Sequence, residues 1–282
     1  MSHSALRPAE AAAIAQDVAR ALEEDIGSGD VSAALLPDVP LRARLVCREP
    51  AVLAGAPWFE ACMRARDPEV RCQWHAADGD TLHADSTVCT LEGRSRALLS
   101  AERCAINFLQ TLSATATATA EYVAAVAGTG ARILDTRKTL PGLRHAQKYA
   151  VRCGGGGNHR AGLYDMVLLK ENHIATAGGI TPAVQAARTL FPRLPLVVEV
   201  ESLQQFDEAL ALRPTRILLD NFALESIREV VRRAAGRVAL EASGGVERGQ
   251  LRAIAETGVD FISIGALTKH VHAVDFSLRV TD

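Results

Sequence analysis

The second half of the chain alternates short apolar runs with amphipathic stretches that have helical spacing. Parallel strands buried on both faces give near-continuous apolar runs, and the helices between them bury one residue in every three or four. The apolar runs are 132–135, 166–169, 196–200, 216–219, 237–240 and 261–264. The main helical stretches are 182–190, 203–212, 224–235 and 248–257. This alternation predicts successive βα units that build a parallel sheet.

The length of this regular part decides which parallel architecture fits. A closed eight-stranded barrel usually takes about 250 residues, whereas residues 129–282 number only 154. A doubly wound open sheet is the competing architecture, but no glycine fingerprint follows the first predicted strand. We therefore predict an α/β protein whose second half is an incomplete barrel of six or seven parallel strands.

The first half has a less regular pattern. An N-terminal helix precedes strand-like segments at 41–46 and 87–91, and a long helix is predicted over 96–126. Within that helix, residues 113–120 alternate alanine with serine or threonine, which imitates the period of a strand. The helix propensity of alanine and the absence of turn residues favour a helix. Its small side chains would allow a neighbouring element to pack closely.

Composition excludes several classes of protein. The chain has 31 Lys+Arg against 33 Asp+Glu and is 4% aromatic, which argues against a nucleic-acid-binding protein. No apolar run approaches the roughly 20 residues that cross a bilayer, and residues 1–26 mix charges with alanines, unlike a secretion signal. The six cysteines form no C-x-x-C pair. We expect reduced, buried thiols in a cytoplasmic protein.

Positive charge is concentrated in one segment. Residues 135–173 contain seven Lys or Arg and three Asp or Glu, a net +4, whereas the whole chain is at -2. Arg137, Lys138 and Lys170 stand at the C-terminal ends of predicted strands, where barrel enzymes carry their active sites. Buried cations are rare unless an anion pairs with them. Arginine and lysine bind carboxylates and phosphates. The segment therefore predicts a pocket for a polyanionic substrate.

Other residues of this segment have structural interpretations. Lys148 and Arg152 are expected on a solvated helix face. The glycine run 154–157 lacks the Lys-Ser/Thr that closes a phosphate-binding P-loop, so we expect it to give residues 158–160 freedom to reach the site. His159 and His173 share no metal-binding spacing with a third ligand. For both histidines we expect a supporting hydrogen bond.

Carboxylates end the later strands. Glu199 and Glu201 share one strand face because side chains alternate along a strand, and Asp220 ends the next one. These oxygens suit Mg²⁺ or sugar hydroxyls, with structural pairing to nearby cations as the alternative. Glycines at 243–245 and 263–266 would let backbone N–H groups approach a phosphate, although glycines at such places also simply make βα turns.

Several motifs together resemble the quinolinate phosphoribosyltransferase family. Three lie in the basic segment: TRKTLPGLR at 136–144, NHRAGLYD at 158–165 and KENH at 170–173. The others are EDIGSGDV at 24–31, VEVE at 198–201, LDN at 219–221, EASGG at 241–245 and IGALT at 264–268. The resemblance spans nearly the whole chain.

The resemblance implies a fold and an assembly. Residues 1–115 would form an N-terminal α/β sandwich domain, and residues 116–282 an incomplete barrel whose C-terminal tail packs back on the first domain. Family members are homodimers, or hexamers built as trimers of dimers, in which one subunit's N-terminal domain covers the partner's barrel. Such a protein is cytoplasmic and binds neither membrane nor nucleic acid.

The resemblance also implies a reaction. Phosphoribosyl transfer from phosphoribosyl pyrophosphate to quinolinate, with decarboxylation, gives nicotinate mononucleotide, pyrophosphate and CO₂, a step of NAD biosynthesis. The implied ligands of the quinolinate carboxylates are Arg137, His159, Arg160, Lys170 and the partner's Arg103. Glu199 and Asp220 would bind the ribose hydroxyls and Mg²⁺, the latter mainly through substrate and water. The remaining implied substrate ligands are Thr136, Lys138, Ser243, Gly244, Gly245, Ile264, Gly265 and Ala266. The implied catalytic groups are Lys138, Lys170, Glu199 and Asp220.

Two other functions remain open from the residues. A strand-end lysine in a barrel also suits a Schiff-base aldolase that uses Lys170, which would need a deprotonated amine. A non-catalytic anion-binding relative linked to molybdate uptake is the second alternative.

Overall fold

The computed structural model describes residues 5–281, and the chain forms two compact units. Met1–Ser4 and Asp282, which the predicted domains include, lie outside the described residues. The first unit combines Met1–Ala120, Lys138–Gly155 and Ala266–Asp282, and the second combines Glu121–Arg137 and Gly156–Gly265. Both units are discontinuous along the chain.

The helices and strands follow the predicted alternation. The helices are α1 Pro8–Ile26, α2 Ala56–Arg66, α3 Ser95–Ala125, α4 Arg144–Cys153, α5 Glu171–Ala177, α6 Ile180–Leu190, α7 Leu203–Leu212, α8 Leu224–Ala234, α9 Leu251–Ala255 and α10 Ala266–Lys269. The strands are β1 Pro40–Cys47, β2 Ala51–Val52, β3 Arg71–Trp74, β4 Thr81–Leu82, β5 Ser86–Arg94, β6 Arg132–Leu134, β7 Val167–Leu169, β8 Leu196–Val200, β9 Arg216–Asp220, β10 Ala239–Ser243, β11 Phe261–Ser263 and β12 Phe276–Thr281. Within residues 5–281, none of these helices is long and apolar enough to cross a membrane.

The first unit is built on an antiparallel sheet in the order β12-β1-β5-β3, beside the two-stranded sheet β2-β4. The C-terminal strand β12 pairs with β1, where Leu278 lies opposite Leu45. Leu45 is fully buried and joins the aromatic side chains of Trp58 and Tyr149, whose rings lie 5.5 Å apart, in one apolar cluster. This burial is the main stabilisation of the unit.

Helix α3 confirms that the alternation of alanine with serine or threonine belongs to a helix. Ser113, Ala116 and Thr119 are fully buried. Gly154, at the end of α4, packs so closely against Ala116 and Thr119 that a Cβ placed on it would overlap the Ala116 carbonyl oxygen and lie 2.7 Å from Cβ of Thr119. The small side chains of α3 therefore serve the close contact expected from the sequence.

The second unit contains the predicted parallel sheet. Six strands lie in the order β6-β11-β10-β9-β8-β7, and each adjacent pair is parallel. In the described residues, β6 and β7 are at opposite ends of this order, as in a barrel that does not close. All five residues of β8 are buried, as expected for a strand covered on both faces. The strand predicted at 237–240 lies at Ala239–Ser243, which places Glu241 at its centre.

The expected solvation of Lys148 and Arg152 is wrong. Their exposed fractions are 3% and 7%. Arg152 donates to Glu10 of α1 at 2.8 Å (Nη2 to Oε2), and Glu10 is itself 3% exposed. Because α4 packs against α1, the face of α4 that carries these charges is covered, and Arg152 is neutralised by a buried carboxylate instead of by water.

Candidate active site

The C-terminal ends of the parallel strands bring the predicted residues of the second unit to one edge of its sheet. Lys170 follows β7 directly, Glu199 lies near the end of β8, and Asp220 ends β9. Ser243 ends β10, and Ile264 follows β11. Parallel strands end on the same side, so residues far apart in sequence become neighbours there. This edge is the candidate active site.

Lys170 and Glu199 form the central ion pair of the site. The Lys170 Nζ lies 3.0 and 2.7 Å from the two carboxylate oxygens of Glu199. Glu199 is 7% exposed. Burial raises its pKa above the ordinary value, Lys170 acts in the opposite direction, and the negative charge of Asp220 raises the pKa further. Two carboxylates and one ammonium therefore lie within electrostatic reach of one another.

The backbone of Lys170 is held by the helix that follows it. Lys170 is the N-cap of α5, and its N–H donates to His173 Nδ1 at 3.1 Å. This satisfies a backbone donor at the helix start and fixes the point from which the lysine side chain leaves the sheet. The supporting hydrogen bond expected for His173 is confirmed.

Arg160 and Arg137 bring two guanidinium groups close together. Arg160 is 8% exposed. Burial lowers its pKa, and the positive charge of Arg137 lowers it further. Both effects disfavour the charged form of Arg160, and a bound anion would reverse them. This part of the site is suited to an anionic ligand.

Residues 158–160 are hydrogen-bonded to the protein, whereas the glycine run was expected to give them freedom. Asp135, which is fully buried, accepts from the His159 N–H at 2.7 Å and from Asn158 Nδ2 at 2.8 Å. Gly157 pairs with Leu134 in an isolated β-bridge, and a Cβ on it would lie 2.8 Å from Leu134 Cδ2. The glycine therefore permits close packing beside β6.

The loop after β10 is packed against the end of β9. The Asn221 N–H donates to the Ser243 carbonyl at 3.1 Å, and Asn221 Nδ2 donates to Asp220 at 2.9 Å. Gly244 has a φ of +92°, and a Cβ there would lie 2.6 Å from the Asn221 nitrogen. Glycine is required on both grounds. The space that a side chain of Gly244 would need is occupied by Asn221, whereas a Cβ on Gly245 would meet nothing within 4 Å.

Some predicted site residues belong to the first unit or its border. Arg103 is exposed on α3, and Ala266 begins α10. Lys138 has an exposed side chain, and its carbonyl accepts from Thr268 Oγ1 at 2.8 Å. Fully buried Gln147 accepts from the Leu140 N–H and donates to the Thr268 carbonyl, both at 2.8 Å. Gln147 therefore ties the loop after Lys138 to α10, a role that its sequence position did not reveal. Thr136 and Gly265 are half-buried in the second unit.

The carboxylates of the site can hold a metal only with outside ligands. Among residues 5–281, no three His, Cys, Asp or Glu side chains are arranged to bind one ion. Glu199 and Asp220 supply two carboxylates, and Glu199 is already paired with Lys170. Mg²⁺ commonly takes one or two protein carboxylates and completes its shell with substrate phosphates and water. The two carboxylates are within the number that Mg²⁺ takes from a protein, and its other ligands would have to come from outside the chain.

Two buried carboxylates were missed by the sequence interpretation as site residues. Asp135 and Glu241 are both fully buried, and both contact the segment around His159. The available signal was a carboxylate inside or directly after an apolar strand, since such a group requires partners.

Comparisons with known proteins agree over most of the chain. Residues 30–113 match the family model "Quinolinate phosphoribosyl transferase, N-terminal domain", and residues 115–279 match its C-terminal counterpart. The chain is 42% identical over 272 residues to nicotinate-nucleotide pyrophosphorylase (carboxylating) of Mycobacterium leprae, covering 93% of this chain and 95% of that protein. It is 38% identical to the mitochondrial quinolinate phosphoribosyltransferase (decarboxylating) 2b of Nicotiana tabacum, with 92% and 80% coverage.

A solved structure gives the same result. The nicotinate-nucleotide pyrophosphorylase of Francisella tularensis superposes with a TM-score of 0.95 at 42% identity, covering 100% of this chain and 99% of that chain. The match therefore includes the antiparallel sheet of the first unit and the six parallel strands of the second. The chain belongs to the quinolinate phosphoribosyl transferase family.

Proposed function

We propose that the protein transfers the phosphoribosyl group of phosphoribosyl pyrophosphate to quinolinate with loss of CO₂. The products are nicotinate mononucleotide and pyrophosphate, and the reaction is a step of NAD biosynthesis. The observation that carries this proposal is the grouping of Lys170 and Arg160 with Glu199 and Asp220 at one edge of the sheet, in a chain of this family.

Quinolinate is a dianion, and the cations of the site match it. Its carboxylates would contact Arg137, Arg160 and Lys170, with His159 beside them. Hydrogen bonds between charged groups each contribute about 1.5–3 kcal/mol, and arginine binds carboxylates in a bidentate manner. A substrate carboxylate near Arg160 would offset the electrostatic repulsion between Arg160 and Arg137. Lys170, which is half-exposed, can contact quinolinate while it remains near Glu199.

The ribose half of the reaction uses the carboxylates. As pyrophosphate leaves, positive charge develops at the anomeric carbon, and the negative charges of Glu199 and Asp220, which act on each other in the site, would stabilise it. We propose that Mg²⁺ is held by these two carboxylates together with pyrophosphate oxygens and water, and that it offsets the charge of the leaving group. Lys138 adds a cation for the phosphates, and the backbone of residues 243–245 and 264–266 receives the 5′-phosphate.

Decarboxylation follows from the new bond. Once the ring nitrogen carries the ribose, its positive charge stabilises the electron pair left on the adjacent carbon when CO₂ departs. That carbon then takes a proton from solvent water. The site needs no covalent nucleophile, and the pairing of the Lys170 ammonium with both oxygens of Glu199 disfavours the aldolase alternative.

We further propose that the protein is a cytoplasmic homodimer, or a hexamer of such dimers, in which Arg103 reaches the partner's site. Two observations support this assembly and location. Arg103 is exposed on α3 and free to contact another molecule. All six cysteines are unpaired thiols, as expected in a reducing compartment.

The test is a CO₂-release assay with quinolinate, phosphoribosyl pyrophosphate and Mg²⁺, each omitted in turn. We expect release only with all three, and none when nicotinate replaces quinolinate. Absence of CO₂ from the complete mixture would overturn the proposal and leave the anion-binding alternative. Borohydride trapping of an adduct at Lys170 would instead support an aldolase.

A further inference from the structure

Glu241 is a carboxylate buried in the interior of the second unit. It lies at the centre of β10 and is fully buried. Its Oε2 accepts from Arg216 Nη1 at 2.6 Å, and the Arg216 guanidinium lies 4.0 Å from the ring centroid of Phe261. Phe261 is the β11 residue opposite Glu241 in the strand register. The position of Oε2 is therefore determined by a cation that is itself held on an aromatic ring.

The second oxygen of Glu241 faces His159. Its Oε1 lies 3.5 Å from His159 Nε2, and the side chain of His159 is 7% exposed. On the other side of the ring, Nδ1 accepts from the backbone N–H of Arg160 at 2.7 Å. A nitrogen that accepts carries no proton, so in the neutral ring the proton is on Nε2, the nitrogen nearer Glu241. At 3.5 Å the two groups form no hydrogen bond, and both buried atoms lack another hydrogen-bond partner within residues 5–281, so the influence of Glu241 on the ring is electrostatic.

The charge of Glu241 agrees with this arrangement. Burial acts to raise its pKa, but His159 and Arg216 outweigh burial and hold the pKa below the ordinary value. Of the two oxygens of the ionised carboxylate, Oε2 accepts from Arg216, and Oε1 places negative charge 3.5 Å from His159 Nε2. Asp135 secures the same segment independently, because it accepts from the His159 N–H.

We propose that Glu241 is a positioning residue for quinolinate. It selects the His159 tautomer whose Nδ1 accepts a hydrogen bond from the Arg160 N–H. That hydrogen bond holds Arg160 in place for a substrate carboxylate. This rests on the proposed function of Arg160 as a carboxylate ligand. Arg216 donates to the other oxygen of Glu241 and so fixes the orientation of the carboxylate.

The substitution Glu241→Gln separates this role from simple packing. Glutamine keeps the shape but has one acceptor oxygen and one NH₂ group. Arg216 can only donate, so the oxygen turns to Arg216 and the NH₂ turns to His159 Nε2. That favours the His159 tautomer protonated on Nδ1. The Nδ1–H and the Arg160 N–H are then two donors that face each other, and their hydrogen bond is lost.

The kinetic test compares three variants with the wild-type enzyme. For Glu241→Gln we expect KM for quinolinate to rise about tenfold, the usual scale for one lost hydrogen bond, with KM for phosphoribosyl pyrophosphate unchanged. In Arg216→Met/Glu241→Gln the glutamine oxygen is free to face His159, so KM for quinolinate should fall back. The control Glu10→Gln removes the charge of a buried ion pair in the other unit and should lower stability without changing either KM.

A spectroscopic measurement keeps the proposal testable if a variant does not fold. Nitrogen-15 NMR of the histidine rings, assigned with His159→Gln, reports which ring nitrogen is protonated. The wild-type protein should show His159 protonated on Nε2, and Glu241→Gln should move the proton to Nδ1. Protonation of wild-type His159 on Nδ1 would overturn the proposal, as would equal increases of both KM values in Glu241→Gln.

The two proposals fail in different ways. If the wild-type protein does not release CO₂ from quinolinate, the proposed function fails, whatever the ring NMR shows. If it turns over quinolinate but Glu241→Gln behaves like Glu10→Gln, only the positioning role fails.

Discussion

The contact between α3 and α4 can be tested at a single glycine. Gly154 has a φ of −77°, a conformation open to any residue. A Cβ on it would nevertheless lie 2.7 Å from Thr119 Cβ and 3.1 Å from the carbonyl carbon of Ala116. The obstacle is helix backbone and a buried side chain, which cannot move aside cheaply. Gly154→Ala therefore isolates the steric cost of one methyl group.

The expected size of the effect follows from two opposing terms. Overpacking costs about 1–3 kcal/mol, and replacing glycine by alanine stabilises by about 0.4–1 kcal/mol through the unfolded state. The difference of these terms is a net loss of about 0–2.6 kcal/mol for Gly154→Ala, and the contact with helix backbone favours the upper half of that range. Gly130 is the matched control, because a Cβ there meets nothing within 4 Å and its φ is not positive. Gly130→Ala should be neutral or slightly stabilising.

Urea unfolding of both variants, at equal protein concentration and with one optical probe, measures the difference. We expect the unfolding midpoint of Gly154→Ala to lie clearly below that of the wild type, and that of Gly130→Ala to lie at or above it. If the two variants agreed within about 0.5 kcal/mol, the usual range for substitutions that disturb no packing, the close approach of α4 to α3 would be refuted.

Three further predictions concern the site. Lys170→Ala and Arg137→Ala should each weaken quinolinate binding by about 10- to 150-fold, from the loss of about 1.5–3 kcal/mol per charge-assisted contact; unchanged calorimetric affinity in both would contradict the carboxylate clamp. The folded-state pKa of Glu199 is raised, so the stability that its protonated carboxyl group contributes is lost as pH rises through that pKa. Glu199→Gln should therefore raise the melting temperature of the unliganded protein at pH 8 but not at pH 4. An equal gain at both pH values would contradict this sign. Arg103→Ala should be inactive alone and regain activity when mixed with Lys170→Ala, and no recovery in mixtures would argue against a shared site.

Local patterns predicted the elements of the barrel well. The helix predicted at 203–212 is α7, Leu203–Leu212, and the strand predicted at 196–200 is β8, Leu196–Val200. The helix has apolar residues at helical spacing and the strand is a near-continuous apolar run, and local sequence carries both patterns by itself. Charged residues directly after such strands, such as Lys170, were located by the same pattern.

Burial of charges was not predictable in the same way. Arg152 looked solvated because its own helix is polar, but its partner Glu10 lies on a helix more than a hundred residues away. The glycine run looked flexible because glycine permits many conformations. In the structure, Gly154 and Gly157 each have a close neighbour from another element, Ala116 and Leu134.

The sequence alone determined which residues end the strands, and with them the family, the unclosed barrel and the concentration of cations in residues 135–173. Only the tertiary structure decided which charges meet: Lys170 with Glu199, and Arg216 with Glu241. The physical reason is that ion pairs and hydrogen bonds form over a few ångströms. Sheet order and helix packing, which bring distant segments together, decide which groups come within that range.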